Sequence, residues 1–262
     1  ITVATQMQMV LLQYDVPNAF LQSPIDQPVY LAQPQGFVER GKESWVWLLK
    51  KCVYGLKQAS LMWRSTFHLF LVNELGMTQV HVESCVYIRW FGDVLLLIVV
   101  YVDDFLMGCR DQEIFNNVER VLTEHFRVKK LGEMTRYLGM NFERRSNGVF
   151  VHNRDLIDDL CEKCRLDASA DVNMPWPNGF DATDQTPFEN ATVYRSVVGV
   201  ISWITQCTRP DLAFYVTFLA GHNHAPLRCH WEQLKKLVCY IRTTRDQGIL
   251  LGARPDQYRL SA

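Results

Sequence analysis

Short apolar runs closed by turn residues alternate with stretches of helical period along the first half of the chain. The strongest run is Val94–Val102, rich in Val, Ile and Leu, which predicts a buried strand. Cys85–Trp90 precedes it, separated by the turn signal Phe91-Gly92-Asp93, so the two predict a hairpin. Phe105-Leu106-Met107 leads away as a further short strand. Earlier, Met9-Val10-Leu11-Leu12 runs on through Gln13-Tyr14-Asp15-Val16 until Pro17 stops it. Helical period appears in Ser60–Leu75, where Trp63, Phe67, Phe70 and Leu71 share a face and Gly76 ends the pattern. Asp111 predicts the cap of a second helix carrying Ile114, Phe115, Val118, Val121, Leu122 and Phe126. These two apolar faces are expected to cover the sheet.

The second half reads differently. Tyr137–Glu143 and Val149–His152 flank Ser146-Asn147-Gly148, a hairpin signal, and Leu156–Cys164 predicts a short helix. Residues 167–193 carry Pro175, Pro177, Gly179 and Pro187 with no sustained period and read as a linker. Helical patterns return in Tyr194–Cys207, Asp211–Leu219 and His230–Thr244, the last with Trp231, Leu234, Leu237, Val238 and Ile241. The expectation is a mixed α and β unit over 1–166, a linker over 167–193 and a helical region over 194–262.

Composition narrows the classes. The chain has 262 residues, 48% of them hydrophobic, enough for a sizeable core. No apolar run reaches the ~20 residues that span a bilayer, so no membrane partner is expected. No signal-peptide pattern opens the chain, and it is not expected to be secreted. The formal net charge of −1 is not the basic balance of a nucleic-acid binder. Basic residues nevertheless cluster at Arg127, Lys129 and Lys130, at Arg144 and Arg145, at Lys235 and Lys236, and at Arg242 and Arg245. Such pairs are ordinarily solvated faces, yet as a set they could track a phosphate backbone. The eight cysteines are scattered, as in a reducing compartment. Cys161 and Cys164 form one C-x-x-C without a second pair at zinc spacing. His222, His224, Cys229 and His230 leave zinc conceivable.

Candidate chemistry centres on Asp103 and Asp104, directly after the apolar run. Adjacent carboxylates repel, and each loses hydration when buried. A divalent cation reverses that balance, because hard oxygen ligands suit magnesium. An Asp-Asp pair alone is ordinarily a solvated turn. Asp15 changes the weighting, since it too ends an apolar strand. Two such strands side by side would bring Asp15 and Asp103 to one edge, able to hold two cations about 3.5–4 Å apart.

At these residues the chain resembles the reverse transcriptases of copia-type (Pseudoviridae-like) retrotransposons with long terminal repeats. The matching stretches are Asp15-Val16-Pro17-Asn18-Ala19-Phe20-Leu21, Val29-Tyr30-Leu31, Gln33-Pro34-Gln35-Gly36-Phe37, and Tyr54-Gly55-Leu56-Lys57-Gln58-Ala59 with Trp63 following. Tyr101-Val102-Asp103-Asp104, Tyr137-Leu138-Gly139-Met140 and Thr208-Arg209-Pro210-Asp211-Leu212-Ala213 complete them in order.

The resemblance implies an α+β polymerase palm, an antiparallel sheet covered by helices, with partial fingers, the start of a thumb, and a connection region leading toward a ribonuclease H domain. It implies RNA-directed DNA synthesis with two Mg²⁺, Mn²⁺ being a possible substitute. Asp15 and Asp103 would bridge the metals with help from the Val16 carbonyl, and Asp104 would support them. Phe20 would lie under the sugar and exclude a 2′-hydroxyl, with Ala19 beside it. Gln58 and Lys57 would meet the incoming nucleotide. Leu138, Gly139 and Met140 would grip the primer. Partners implied are an RNA or DNA template–primer, deoxynucleoside triphosphates, and the integrase and ribonuclease H domains of a polyprotein. The implied location is a cytoplasmic virus-like particle with a nuclear phase. The family carries a basic fingers segment ahead of the first aspartate, whereas Ile1–Tyr14 holds no Lys or Arg. An incomplete unit is therefore expected, and the competing expectation is an inert relic that binds nucleic acid or a partner chain.

Overall fold

The computed structural model describes residues 1–164, 172–176 and 179–252. They form two compact units, one built from Met7–Met134, the other from Ile1–Gln6 together with the chain from Thr135 onward. A short helix α1 (Thr2–Gln6), belonging to the second unit, precedes the strand β1 (Val10–Asp15).

The first unit carries a six-stranded antiparallel sheet. In chain order its elements are β1, a small ribbon of β2 (Tyr30–Ala32) and β3 (Val46–Leu48), helix α2 (Ala59–Asn73), β4 (Thr78–Val80), β5 (Glu83–Phe91), β6 (Val94–Tyr101), β7 (Asp104–Cys109), helix α3 (Gln112–His125) and β8 (Lys129–Glu133). The order across the sheet is β4-β5-β6-β7-β1-β8. The period-2 alternation of β1 places Tyr14 opposite Phe105, and their rings stack at 4.9 Å between centroids. Leu96, Ile98, Phe105 and Met107 share one core with Trp63, Phe67, Phe70 and Leu71 of α2 and with Phe115, Val118 and Leu122 of α3. Each such buried side chain contributes about 1.5–3 kcal/mol relative to exposure.

Both helices start where the sequence signals them. The Asp111 carboxylate accepts from the Glu113 and Ile114 amides at 2.9 and 3.0 Å, satisfying two donors that helix geometry leaves free. After α2 the chain reverses at Gly76, whose φ of +58° is open to glycine at little cost.

The second unit pairs a four-stranded antiparallel sheet with helices. Its elements are β9 (Arg136–Tyr137), β10 (Met140–Arg145), β11 (Gly148–His152), α4 (Arg154–Cys164), α5 (Ala191–Cys207), α6 (Ala213–Ala220), α7 (Arg228–Thr243) and β12 (Ile249–Gly252), the sheet running β12-β11-β10-β9. Ser146-Asn147 makes the turn expected of that hairpin, closed by the Arg145–Gly148 pair. Gly148 faces Gly252 across the next ladder, and any Cβ there would collide with the Leu251 carbonyl.

The expected division of the chain differs from the observed one. The units part between Met134 and Thr135, because β12 returns to pair with β11 and joins the hairpin to the later helices in one fold. Ile157 and Leu160 of α4 share a core with Val197, Ile201, Leu234 and Leu237. The expected linker is also more than a spacer, since Trp176 is buried in that same core. The expected boundary at 166 and Pro177 lie outside the described residues. Cys161 and Cys164 both sit on α4, and burial pushes each thiol up to about 11. His222 and His230 stack ring on ring at 3.7 Å, and among the described residues no His, Cys, Asp or Glu group is placed to hold a metal there.

Candidate active site

The first unit places the aspartates by strand register. β6 and β7 form a tight hairpin closed by the Tyr101–Asp104 pair, leaving Val102 and Asp103 as its turn. β1 lies on the far side of β7, with Asp15 directly opposite Asp104. The Val16 amide donates to the Asp103 carbonyl at 2.8 Å and carries the contact one step past the strands. The expectation of Asp15 beside Asp103 is thus adjusted: Asp104 is the direct cross-strand neighbour, and Asp103 sits next to it on the turn. Across the other ladder of β1, Asp15 pairs with Lys129. Directly opposed residues of an antiparallel pair project to one face, so these side chains share the face of the sheet away from Tyr14 and Phe105.

Three half-buried carboxylates in so small a space disfavour one another. The Asp104 carboxyl is held above the usual carboxylate range, first by burial, then by Asp103 and Asp15, while a hydrogen bond from Gln13 pulls it back. Hard anionic oxygens set against each other are the donor chemistry a divalent cation relieves, so the residues fit such an ion. Among the described residues, no three such side chains already converge as a coordinating group.

The sign of the Asp104 effect is open to measurement. Its pKa is raised on folding, so its charged form is less comfortable folded than unfolded, and stability falls as pH rises through that pKa. Asp104→Asn is expected to raise the melting temperature in metal-free buffer at about pH 8 by up to ~4 °C, the size of one like-charge cross-strand pair. The gain should shrink as pH falls through the raised pKa and vanish once the pH is below the ordinary carboxylate range. Thermal unfolding across that range checks it; equal or larger gains at the acid end would refute the repulsion.

The turn itself is strained and anchored. Val102 has φ of +56°, a left-handed conformation that a β-branched residue rarely adopts. Its carbonyl accepts a hydrogen bond from the Trp63 indole Nε1 at 2.6 Å. Trp63, on α2, is buried and packs on Phe67 and Phe126. Sequence reading placed Trp63 on a helix face and in a stretch that carries the resemblance; nothing in its spacing reveals the Val102 partner.

The other expected residues fall into three places. After Pro17, the chain turns at Asn18 (φ +53°) into a short 3-10 turn, Ala19–Gln22. Ala19 is fully buried, and the Phe20 ring lies against Tyr54 at 4.6 Å, bringing the segment after Asp15 to the loop before α2. Phe20 is partly buried against the core. Gln58 is the residue before α2, half-buried, with no capping bond from its side chain, and Lys57 beside it is exposed. Leu138, Gly139 and Met140 belong to the second unit. Leu138 and Gly139 both have positive φ and form the two-residue turn between β9 and β10. The buried Asn153 amide donates to the Gly139 carbonyl at 2.7 Å, and its oxygen accepts from Thr208 at 2.5 Å. The turn is thereby tied to the Thr208-Arg209-Pro210-Asp211 stretch. Arg209 is itself buried, its guanidinium held by Asp211 and by Thr244.

Residues 1–177 match the family model described as reverse transcriptase (RNA-dependent DNA polymerase). The chain belongs to the reverse transcriptase family. This member of the family is 31% identical over 234 residues to a transposon Ty5-1 protein of Saccharomyces cerevisiae, covering 88% of this chain and 76% of that protein. It is 31% identical over 241 residues to the retrovirus-related Pol polyprotein from transposon RE2 of Arabidopsis thaliana, covering 91% of this chain but 16% of the polyprotein. The corresponding polyprotein from transposon TNT 1-94 of Nicotiana tabacum is 28% identical over 263 residues, with 96% and 20% covered. The chain therefore spans a minor part of those two polyproteins. A solved Candida albicans telomerase aligns over 90% of this chain and 45% of its own at 12% identity, with a TM-score of 0.28, a likeness too slight to bear on the site. The reverse transcriptase reading of the sequence, including its copia-type kinship, is thus established, and the α+β fold with its large antiparallel sheet agrees with it.

Proposed function

We propose that this chain carries out template-directed addition of deoxynucleotides to a primer 3′ end, by the two-metal mode of nucleotidyl transfer. The observation that carries the reading is the register of β1 on β7, which sets Asp15 against Asp104 with Asp103 on the adjoining turn. Asp15, Asp103 and the Val16 carbonyl would hold Mg²⁺, with Mn²⁺ as a substitute and Asp104 in support. When bound, the cations supply charge neutralisation at the phosphates and ease deprotonation of the primer hydroxyl.

The protein's own share is positioning. The rigid sheet fixes the carboxylates, and the Val102–Asp103 turn sets Asp103 ahead of Asp104. Lys129, across from Asp15, offers a cation toward a phosphate backbone. Ala19 and Phe20 would floor the sugar site, with Phe20 excluding a 2′-hydroxyl. Gln58 and Lys57, at the head of α2, would meet the incoming nucleotide, while Leu138, Gly139 and Met140 would hold the primer. The partners are an RNA or DNA template–primer and deoxynucleoside triphosphates. Kinship with Pol polyproteins supports integrase and ribonuclease H domains as companions, and a cytoplasmic virus-like particle as the setting.

Primer extension on an RNA template tests this directly. The purified chain is expected to extend a DNA primer with Mg²⁺ and to stop when a chelator is added. A chain that binds template–primer but adds no nucleotide with either Mg²⁺ or Mn²⁺ would overturn the catalytic reading in favour of an inert relic.

A further inference from the structure

We infer that Trp63 is a positioning residue for the catalytic turn: its indole N–H holds Val102 in the left-handed conformation that presents Asp103. The inference rests on the polymerase reading for its consequence, and on geometry alone for the link. Three observations carry it. Val102 is a β-branched residue at φ +56°, where its own side chain disfavours the backbone. The Trp63 Nε1–O distance to the Val102 carbonyl is 2.6 Å, and the donor comes from a residue only 2% exposed. The indole cannot drift, because its rings stack on Phe67 at 5.2 Å and meet Phe126 edge-on at 5.5 Å.

The Val102 side chain faces outward, 49% exposed, so core packing does not explain the turn's shape. The hairpin has no spare residues to absorb a change. Tyr101 and Asp104 are already paired, and any relaxation of Val102 toward the ordinary β region must rotate the peptide that leads into Asp103. A buried donor aimed at that carbonyl supplies the opposing force. Through it, the helix α2 that follows Gln58 also sets the turn that carries Asp103.

A double-mutant cycle separates this role from packing. Trp63→Phe keeps an aromatic ring and removes the donor; Val102→Gly makes positive φ cheap and removes the strain. Extension rate and deoxynucleotide KM are measured for the parent, both single variants and the double variant, with thermal unfolding in parallel. Trp63→Phe is expected to lower kcat about five- to tenfold, the equivalent of one ordinary hydrogen bond, with KM within about twofold. In the Val102→Gly background the same change should lower kcat by less than about twofold. Phe115→Leu, which loosens the same core at a ring other than those that hold the indole, should lower the melting temperature equally in both backgrounds.

Equal losses of kcat from Trp63→Phe in both backgrounds would overturn the inference, as would a loss confined to KM. So would melting temperatures that add with no coupling between residues 63 and 102. Coupled melting temperatures in a chain that never extends a primer would uphold the Trp63–Val102 link and overturn the polymerase reading instead.

Discussion

Asp103→Asn is expected to remove primer extension almost entirely, by at least about 10²–10³-fold, the loss that follows deletion of one preorganised charge-stabilising group. The amide keeps the size of the side chain and can remain on the turn. It loses the negative charge that a divalent cation requires and leaves Asp15 without its partner across the site. The fold should survive. Asp103 is only half-buried, and its backbone carbonyl goes on accepting from the Val16 amide at 2.8 Å. Relief of repulsion on Asp104 should leave the melting temperature unchanged or slightly higher in metal-free buffer. Single-turnover extension and thermal unfolding on the same preparation decide the matter. Extension within tenfold of the parent at an unchanged melting temperature would remove Asp103 from the mechanism.

Phe20→Val is expected to raise ribonucleotide incorporation relative to deoxynucleotide incorporation by roughly 10²-fold, the order of discrimination that a shaped site achieves against one added hydroxyl. Under the proposed role the ring would act through a clash beneath C2′, and Val would open that space. In the structure the ring packs, lying on Tyr54 at 4.6 Å and on the edge of the core. Truncation should therefore also lower stability, by about 1–3 kcal/mol for a partly buried aromatic losing its contacts. The two effects separate cleanly. A gate changes the ratio of the two substrates on one template base, whereas a packing residue changes both rates together. An unchanged ratio in a less stable protein would assign Phe20 to the core alone.

Much of the site could be read from the chain, for local reasons. Val94–Val102 is uninterrupted by polar residues and bounded by Phe91-Gly92-Asp93, so its strand and hairpin follow from periodicity and turn chemistry. Asp111 announces its helix because a short carboxylate there satisfies free amides, as it does at Glu113 and Ile114. What could not be read was non-local. The neighbour of Asp15 is set by the pairing of β1 on β7 rather than on β6, a choice that two equally apolar strands do not reveal. The Trp63–Val102 hydrogen bond joins residues whose separate patterns say only helix and strand. The division of the chain was hidden too, because Ile249–Gly252 is a short segment whose partner, β11, lies far back in sequence. Pro175, Gly179 and Pro187 correctly marked irregular backbone, but composition does not show that Trp176 among them fills a core.

The stack of Tyr14 on Phe105 locks one register of β1 against β7. Alternation along a strand makes length as consequential as identity there. Losing a single codon between Val10 and Gln13 would leave every carboxylate in the sequence, yet a strand that kept its register ahead of the gap would turn both Tyr14 and Asp15 to the wrong side of the sheet. A copy of this gene can thus be silenced by an in-frame deletion that no inventory of its acidic residues would detect.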